Sequence, residues 1–168
     1  MATLLRGLSG VSELPWGVDG CAVPNFALPL SGFARALAKL AGGRTPGAAR
    51  IFGSMIAHPE LVGGTLRTCT FLMRATAGRA AVKTGAEGVY AGIVPERGLG
   101  IALKIDDGAT RAAETAIAAI LDKLGMLGDD ARDILHAPIF NTRGATVGER
   151  RLAPALLGAD LAGRLGSF

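Results

Sequence analysis

The stretch Ala80 to Asp106, AAVKTGAEGVYAGIVPERGLGIALKID, constrains this chain more than any other. It reads as three short antiparallel strands. Val89, Ala91 and Ile93 fall on one face of the second strand, and Tyr90, Gly92 and Val94 on the other. Both faces are largely apolar, so this strand is predicted to lie in the middle of a sheet. Pro95-Glu96-Arg97-Gly98 supplies a turn: proline fixes φ early, and Gly98 accepts φ > 0. Leu99, Ile101, Leu103 and Ile105 then alternate with Gly100, Ala102, Lys104 and Asp106, the pattern of a half-buried strand. Lys83 stands on the first strand, next to Thr84 and Gly85. Glycine there lets a substrate lie against the strand, and the lysine places a positive charge beside a group under attack.

At 168 residues the chain is long enough for one domain with a real core. A hydrophobic content of 49% argues against disorder. Aromatics are only 5%, so the core must be built mainly from Ala, Leu, Val and Ile. The net charge of +4 raises nucleic acid as a partner, yet the arginines are scattered and no aromatics interleave them, so that partner is set aside. Two cysteines, Cys21 and Cys69, are too few for a disulfide scaffold and match no zinc-finger spacing. No secretory h-region opens the chain, and no apolar run is long enough to cross a bilayer. The expectation is a soluble, cytoplasmic protein without a membrane partner.

Taken in order, residues 3–14 are mildly apolar and read as the end of a helix. Trp16 to Asn25 is loop chemistry, with two glycines, a proline, Asp19 and Asn25. Asp19 and Cys21 stand two residues apart, and two readings are open. One is an Asx turn beside a buried small thiol, which the spacing favours; the other is a pair of metal ligands or an active-site rim. Pro29 and Ser31 start a helix with Ser31 as N-cap, and Gly42-Gly43 ends it. Thr45-Pro46 opens the next helix, with Ile51, Met55 and Ile56 on its apolar side. His58 closes it as a helix-end side chain rather than a ligand, since no second histidine is near. Residues 61–64 form a connector. Thr65 to Met73 is predicted as a short helix with Leu66, Cys69, Leu72 and Met73 inward. After the strands, Asp107 caps the clearest helix, to Gly125, with Ala109, Ala112, Ala113, Ala116, Ile117, Ile120, Leu121 and Leu124 as its stripe. Residues 138–149 read as a loop and a last strand, and the tail from Arg150 as loose or a frayed helix.

Much common chemistry is absent from the pattern. There is no G-x-S-x-G elbow, no G-x-G-x-x-G, no P-loop and no His pair at i, i+4. Lys83-Thr84-Gly85 on a strand is one of the three signatures of the serine β-lactamase and penicillin-binding architecture. Ser9, Ser12, Ser31, Ser54 and Ser167 all lack a lysine three residues on. The chain therefore holds the Lys-Thr-Gly piece of a Ser/Lys site without the Ser-x-x-Lys piece that would supply nucleophile and base.

Several runs together resemble one family, the bacterial L-asparaginases of the rhizobial, serine-dependent type: GVDGCAVPNFALPL (Gly17 to Leu30), HPELVGGTLRTCTFLM (His58 to Met73), KTGAEGVY (Lys83 to Tyr90), GLGIALKIDDGATRAAE (Gly98 to Glu114) and NTRGATVGE (Asn141 to Glu149). The resemblance implies an α/β (α+β) fold, with an antiparallel sheet packed against helices as part of a serine β-lactamase-like or penicillin-binding-protein-like architecture. It implies that residues 1–168 form one domain, the C-terminal half of the family's. It implies hydrolysis of L-asparagine to L-aspartate and ammonia by a lysine-activated serine, through an acyl-enzyme, with Lys83 as the strand lysine. The substrate-contacting set it implies is Asp19, Arg67, Thr84, Gly85 and Glu87. Cys21 and Asp19 match a DGC motif near a metal-binding position, so zinc at Cys21 is the one ion raised, with no cofactor required. The family's catalytic serines and Ser-x-x-Lys base would lie in a segment outside this chain, leaving an open sheet edge and room for a homodimer. The alternative is a non-catalytic remnant or interaction module of the same family.

Overall fold

A computed structural model describes residues 1–43, 45–158 and 160. The end of the expected loose tail, residues 161–168, lies outside the described residues. The architecture is α+β, as expected. Seven helices, α1 (Ala2–Ser9), α2 (Leu30–Ala41), α3 (Ala48–Ala57), α4 (Pro59–Gly63), α5 (Thr68–Ala75), α6 (Thr110–Lys123) and α7 (Pro154–Leu157), accompany seven strands among the described residues. The strands are β1 (Trp16–Val18), β2 (Pro24–Phe26), β3 (Ala81–Thr84), β4 (Val89–Val94), β5 (Leu99–Lys104), β6 (Pro138–Phe140) and β7 (Thr146–Glu149).

The antiparallel sheet β3-β4-β5 is the centre, with β4 in the middle as its two apolar faces require. Lys83 pairs with Ala91 and Thr84 with Tyr90; Ala91 in turn pairs with Ala102, and Gly92 with Ile101. Pro95–Arg97 forms one turn of 3-10 helix between β4 and β5, and Gly98 follows at φ 57°.

Helices cover both faces. On one, Gly100 admits the backbone of α2: a Cβ there would sit 2.1 Å from the Ala34 carbonyl oxygen and 2.4 Å from the Ala38 nitrogen. The other face carries Val82, Tyr90, Val94 and Ile101 into one cluster with Leu72 and Met73 of α5 and Ala113, Ile117, Ala118 and Leu121 of α6. Alanine on α6 brings that helix close, and Leu124, Met126 and Leu127 close the cluster below it.

Several local expectations are corrected. Trp16 to Asn25 is not irregular loop but most of the hairpin β1–β2. The N-cap of α2 is Pro29, and Ser31 lies inside the helix. The third helix starts at Ala48, because Gly47 at φ 81° turns the chain after Thr45-Pro46. Residues 61–64 are not a connector: Pro59, at the first position of α4, starts a separate short helix. Leu66 is 97% exposed rather than inward, since α5 begins only at Thr68. The buried side of α6 includes Thr115, Ala118 and Ala119, a face rotated from the expected stripe. Residues 138–149 give two strands, paired with each other in a separate exposed hairpin.

Candidate active site

The Lys-Thr-Gly segment ends strand β3, at an edge of the sheet. Antiparallel pairing alternates the direction of backbone polar groups, and the Gly85 N–H donates inward to the Val89 carbonyl at 2.9 Å. The N–H and C=O of Thr84 therefore point outward, away from β4. Both are occupied. Lys83 is exposed, and its Nζ donates to the Thr84 carbonyl at 2.7 Å. The Thr84 N–H donates to Cys69 Sγ at 3.2 Å. Thr84 Oγ1 donates to the Gly85 carbonyl at 3.2 Å.

Cys69 Sγ lies 3.0 Å from Tyr90 Oη, and the two residues are 1% and 0% exposed. Burial first, then the hydrogen bond with Cys69, pushes the Tyr90 phenol above its ordinary range, so it stays neutral. The Val89 N–H donates back to the Ala86 carbonyl at 3.1 Å, closing a turn with Glu87 at φ 54° and Gly88 at φ 69°. A left-handed glutamate is uncommon. Its carboxylate lies against the turn after β5, which the Gly108 N–H closes on the Ile105 carbonyl: a Cβ on Gly108 would be 3.1 Å from Glu87 Oε2.

Arg67 precedes α5 and lines an open cavity of about 750 Å3 with Leu66, Phe71, Arg74 and Ile134. Lys83, Thr84, Gly85 and Glu87 do not line it. Arg67 is nonetheless near enough to Tyr90 to favour its ionised form, against the larger effect of burial. Helix α5 thus links Arg67, two residues before Cys69, to the Lys83 edge.

Asp19 and Cys21 occupy the tip of the β1–β2 hairpin. Asp19 Oδ1 accepts the Cys21 N–H at 2.5 Å, and the Ala22 N–H donates to the Asp19 carbonyl at 2.9 Å. This is the Asx turn of the first reading, but the thiol is exposed rather than buried. Hydrogen bonds from Cys21 hold the Asp19 carboxyl below the usual range, and that carboxylate pushes the Cys21 thiol up. Zinc takes four ligands, three of them from protein even in open sites. No group of three His, Cys, Asp or Glu side chains able to hold a metal occurs among the described residues. Asp19 and Cys21 alone do not complete a zinc site. Among the described residues, no hydrogen bond or ion pair joins them to Lys83, Arg67 or Glu87.

Ser9 Oγ donates to the Leu5 carbonyl at 2.6 Å and Ser54 Oγ to the Arg50 carbonyl at 2.9 Å. Both hydroxyls are spent on their own helices, and neither meets a lysine. Sequence reasoning missed the Cys69–Tyr90 pair, because Cys69 was counted only as an apolar helix position. The strand register carried the missing signal: Tyr90 opposite Thr84 puts its ring on the face that α5 covers.

Helices on both faces of an antiparallel sheet, with the edge strand β3 ending in Lys-Thr-Gly, define an α+β scaffold that presents an exposed lysine at a sheet margin. The model of the L-asparaginase II family matches residues 1–152, and the chain belongs to that family. A comparison with curated proteins finds no match. No helix among the described residues is long and apolar enough to cross a membrane.

Proposed function

We propose that the chain carries the lysine-bearing wall of an L-asparagine amidohydrolase site of the serine-dependent type, on a partial β-lactamase-like fold. Family membership supports asparagine as the substrate. The observation that carries the placement is the outer edge of β3, where an exposed lysine stands beside a held threonine amide. In this reaction a serine Oγ attacks the side-chain amide carbon of asparagine. The C–N bond breaks, ammonia leaves with the serine proton, and water then cleaves the acyl ester to give aspartate. Lys83 partners the serine and holds positive charge against the oxygen that gains charge during attack. Its Nζ now rests on the Thr84 carbonyl and swings from it to the reacting group. Thr84 and Gly85 line the strand on which the substrate lies, and Arg67 and Asp19 bind its charged ends. Glu87 acts from the adjoining turn.

The serine comes from a polypeptide segment beyond this chain, because none of the serines here has a lysine three residues on. The test is ammonia release from L-asparagine by the chain alone and by the chain mixed with a family segment bearing Ser-x-x-Lys. Release that depends on asparagine in the mixture is expected. No release in either preparation overturns the proposal and favours a non-catalytic interaction module.

A further inference from the structure

Cys69 is buried and has no part in the chemistry above. Its sulfur nevertheless touches two functional neighbours. It accepts the Thr84 N–H at 3.2 Å and lies 3.0 Å from Tyr90 Oη. Tyr90 pairs with Thr84 across the sheet, so the three residues close a loop: strand to helix, helix to ring, ring back to strand. An edge strand normally leaves its outward N–H to water or to another strand. Here helix α5 fills that place with a thiol, at the residue next to Lys83.

We propose that Cys69 is a positioning residue: its sulfur holds the Thr84 amide, and with it the Lys83-Thr84-Gly85 edge, while Tyr90 Oη orients the sulfur. The proposal rests on the amidohydrolase reading for its purpose, but not for its geometry. Gly63 leaves the sulfur's helix no slack: a Cβ on Gly63 would lie 2.8 Å from Cys69 Cβ and 2.8 Å from Thr70 Oγ1. Thr70 Oγ1 fixes the same turn with its single proton shared between the carbonyls of Gly64 at 2.6 Å and Pro59 at 3.0 Å.

Serine and alanine at position 69 remove nearly the same volume and differ in the acceptor. The experiment compares Cys69→Ala with Cys69→Ser in the full chain by amide hydrogen exchange at Thr84, with the β5 amides as internal reference. Cys69→Ala is expected to speed Thr84 exchange about tenfold while leaving β5 unchanged, and Cys69→Ser to restore most of the protection. Tyr90→Phe, which leaves the ring but frees the sulfur, is expected to give an intermediate rate. Equal exchange in the alanine and serine variants would reduce Cys69 to a packing group and overturn the proposal. In preparations that release ammonia, the same serine rescue is expected in kcat with KM little changed. If neither the wild-type chain nor its mixture with the serine-bearing segment releases ammonia yet the exchange pattern holds, the positioning stands and the amidohydrolase reading falls.

Discussion

The central sheet and the two outlying hairpins are all antiparallel, yet they are held by different forces. Strands β3, β4 and β5 are clamped between α2 on one face and α5 and α6 on the other, and Tyr90 and Val94 are wholly buried. The β6–β7 hairpin has every strand residue exposed, and β1–β2 all but Phe26. Their order comes from turn chemistry. Asp19 Oδ1 accepts the Cys21 N–H in one, and Asn141 Oδ1 accepts the N–H groups of Arg143 and Ala145 in the other. A two-stranded hairpin without a packed face is marginal on its own. Groups on the sheet edge, Lys83 and Thr84, are therefore preorganised by the core, whereas Asp19 and Cys21 are placed only by their own turn.

The sharpest way to break this contrast is Gly100→Ala. The added methyl would meet α2 backbone, which cannot rotate away as a side chain can. A loss of about 3 kcal/mol or more is expected in urea unfolding, with loss of the whole sheet. A smaller, local effect is expected of Asn141→Ala. It removes two hydrogen bonds from a hairpin that no core depends on, so global stability should fall by less than about 1 kcal/mol. Amide exchange across β6–β7 should quicken, while exchange in β4 stays slow. Parallel losses in both regions would show that the hairpin is coupled to the core.

The smallest expected effect concerns Glu96 in the β4–β5 turn. Its hydrogen bond from Arg79, 3.0 Å from Nη2 to Oε1, holds the carboxyl below the usual glutamate range. The folded pKa is depressed, so this contribution is complete above the ordinary glutamate value and fades as pH falls through the lowered one. Both groups are well exposed, so the effect is screened and modest. Acid unfolding curves of wild type and Glu96→Gln should converge at low pH and separate slightly near neutrality. Curves that separate only at low pH would reverse the sign.

The unequal forces explain what was legible in the sequence. The β3-β4-β5 sheet was readable because period-two apolar patterning records burial, and Gly98 marked its turn. The order of β4 between its neighbours followed from two apolar faces. The sequence marks residues 16–25 only as a loop and residues 138–149 as a loop with one strand, because the strands of both hairpins bury almost nothing and no alternation marks them; Trp16-Gly17-Val18 pairs with Pro24-Asn25-Phe26. Helix starts slipped where glycine rather than a side-chain cap set the boundary, as at Gly47. Lys83, Thr84 and Gly85 were visible as a contiguous motif. The sulfur beside them was not, because Cys69 is fifteen residues before Thr84 and only tertiary packing brings it to that amide.

The most direct measurement of the central claim is asparagine-dependent ammonia release by Lys83→Ala, in the preparation where the wild type is active, with and without added methylamine. A fall of about a thousandfold in kcat, with KM little altered and partial recovery when the amine is supplied, is the expected result. A Lys83→Ala variant that folds normally and releases ammonia at the wild-type rate would contradict the claim.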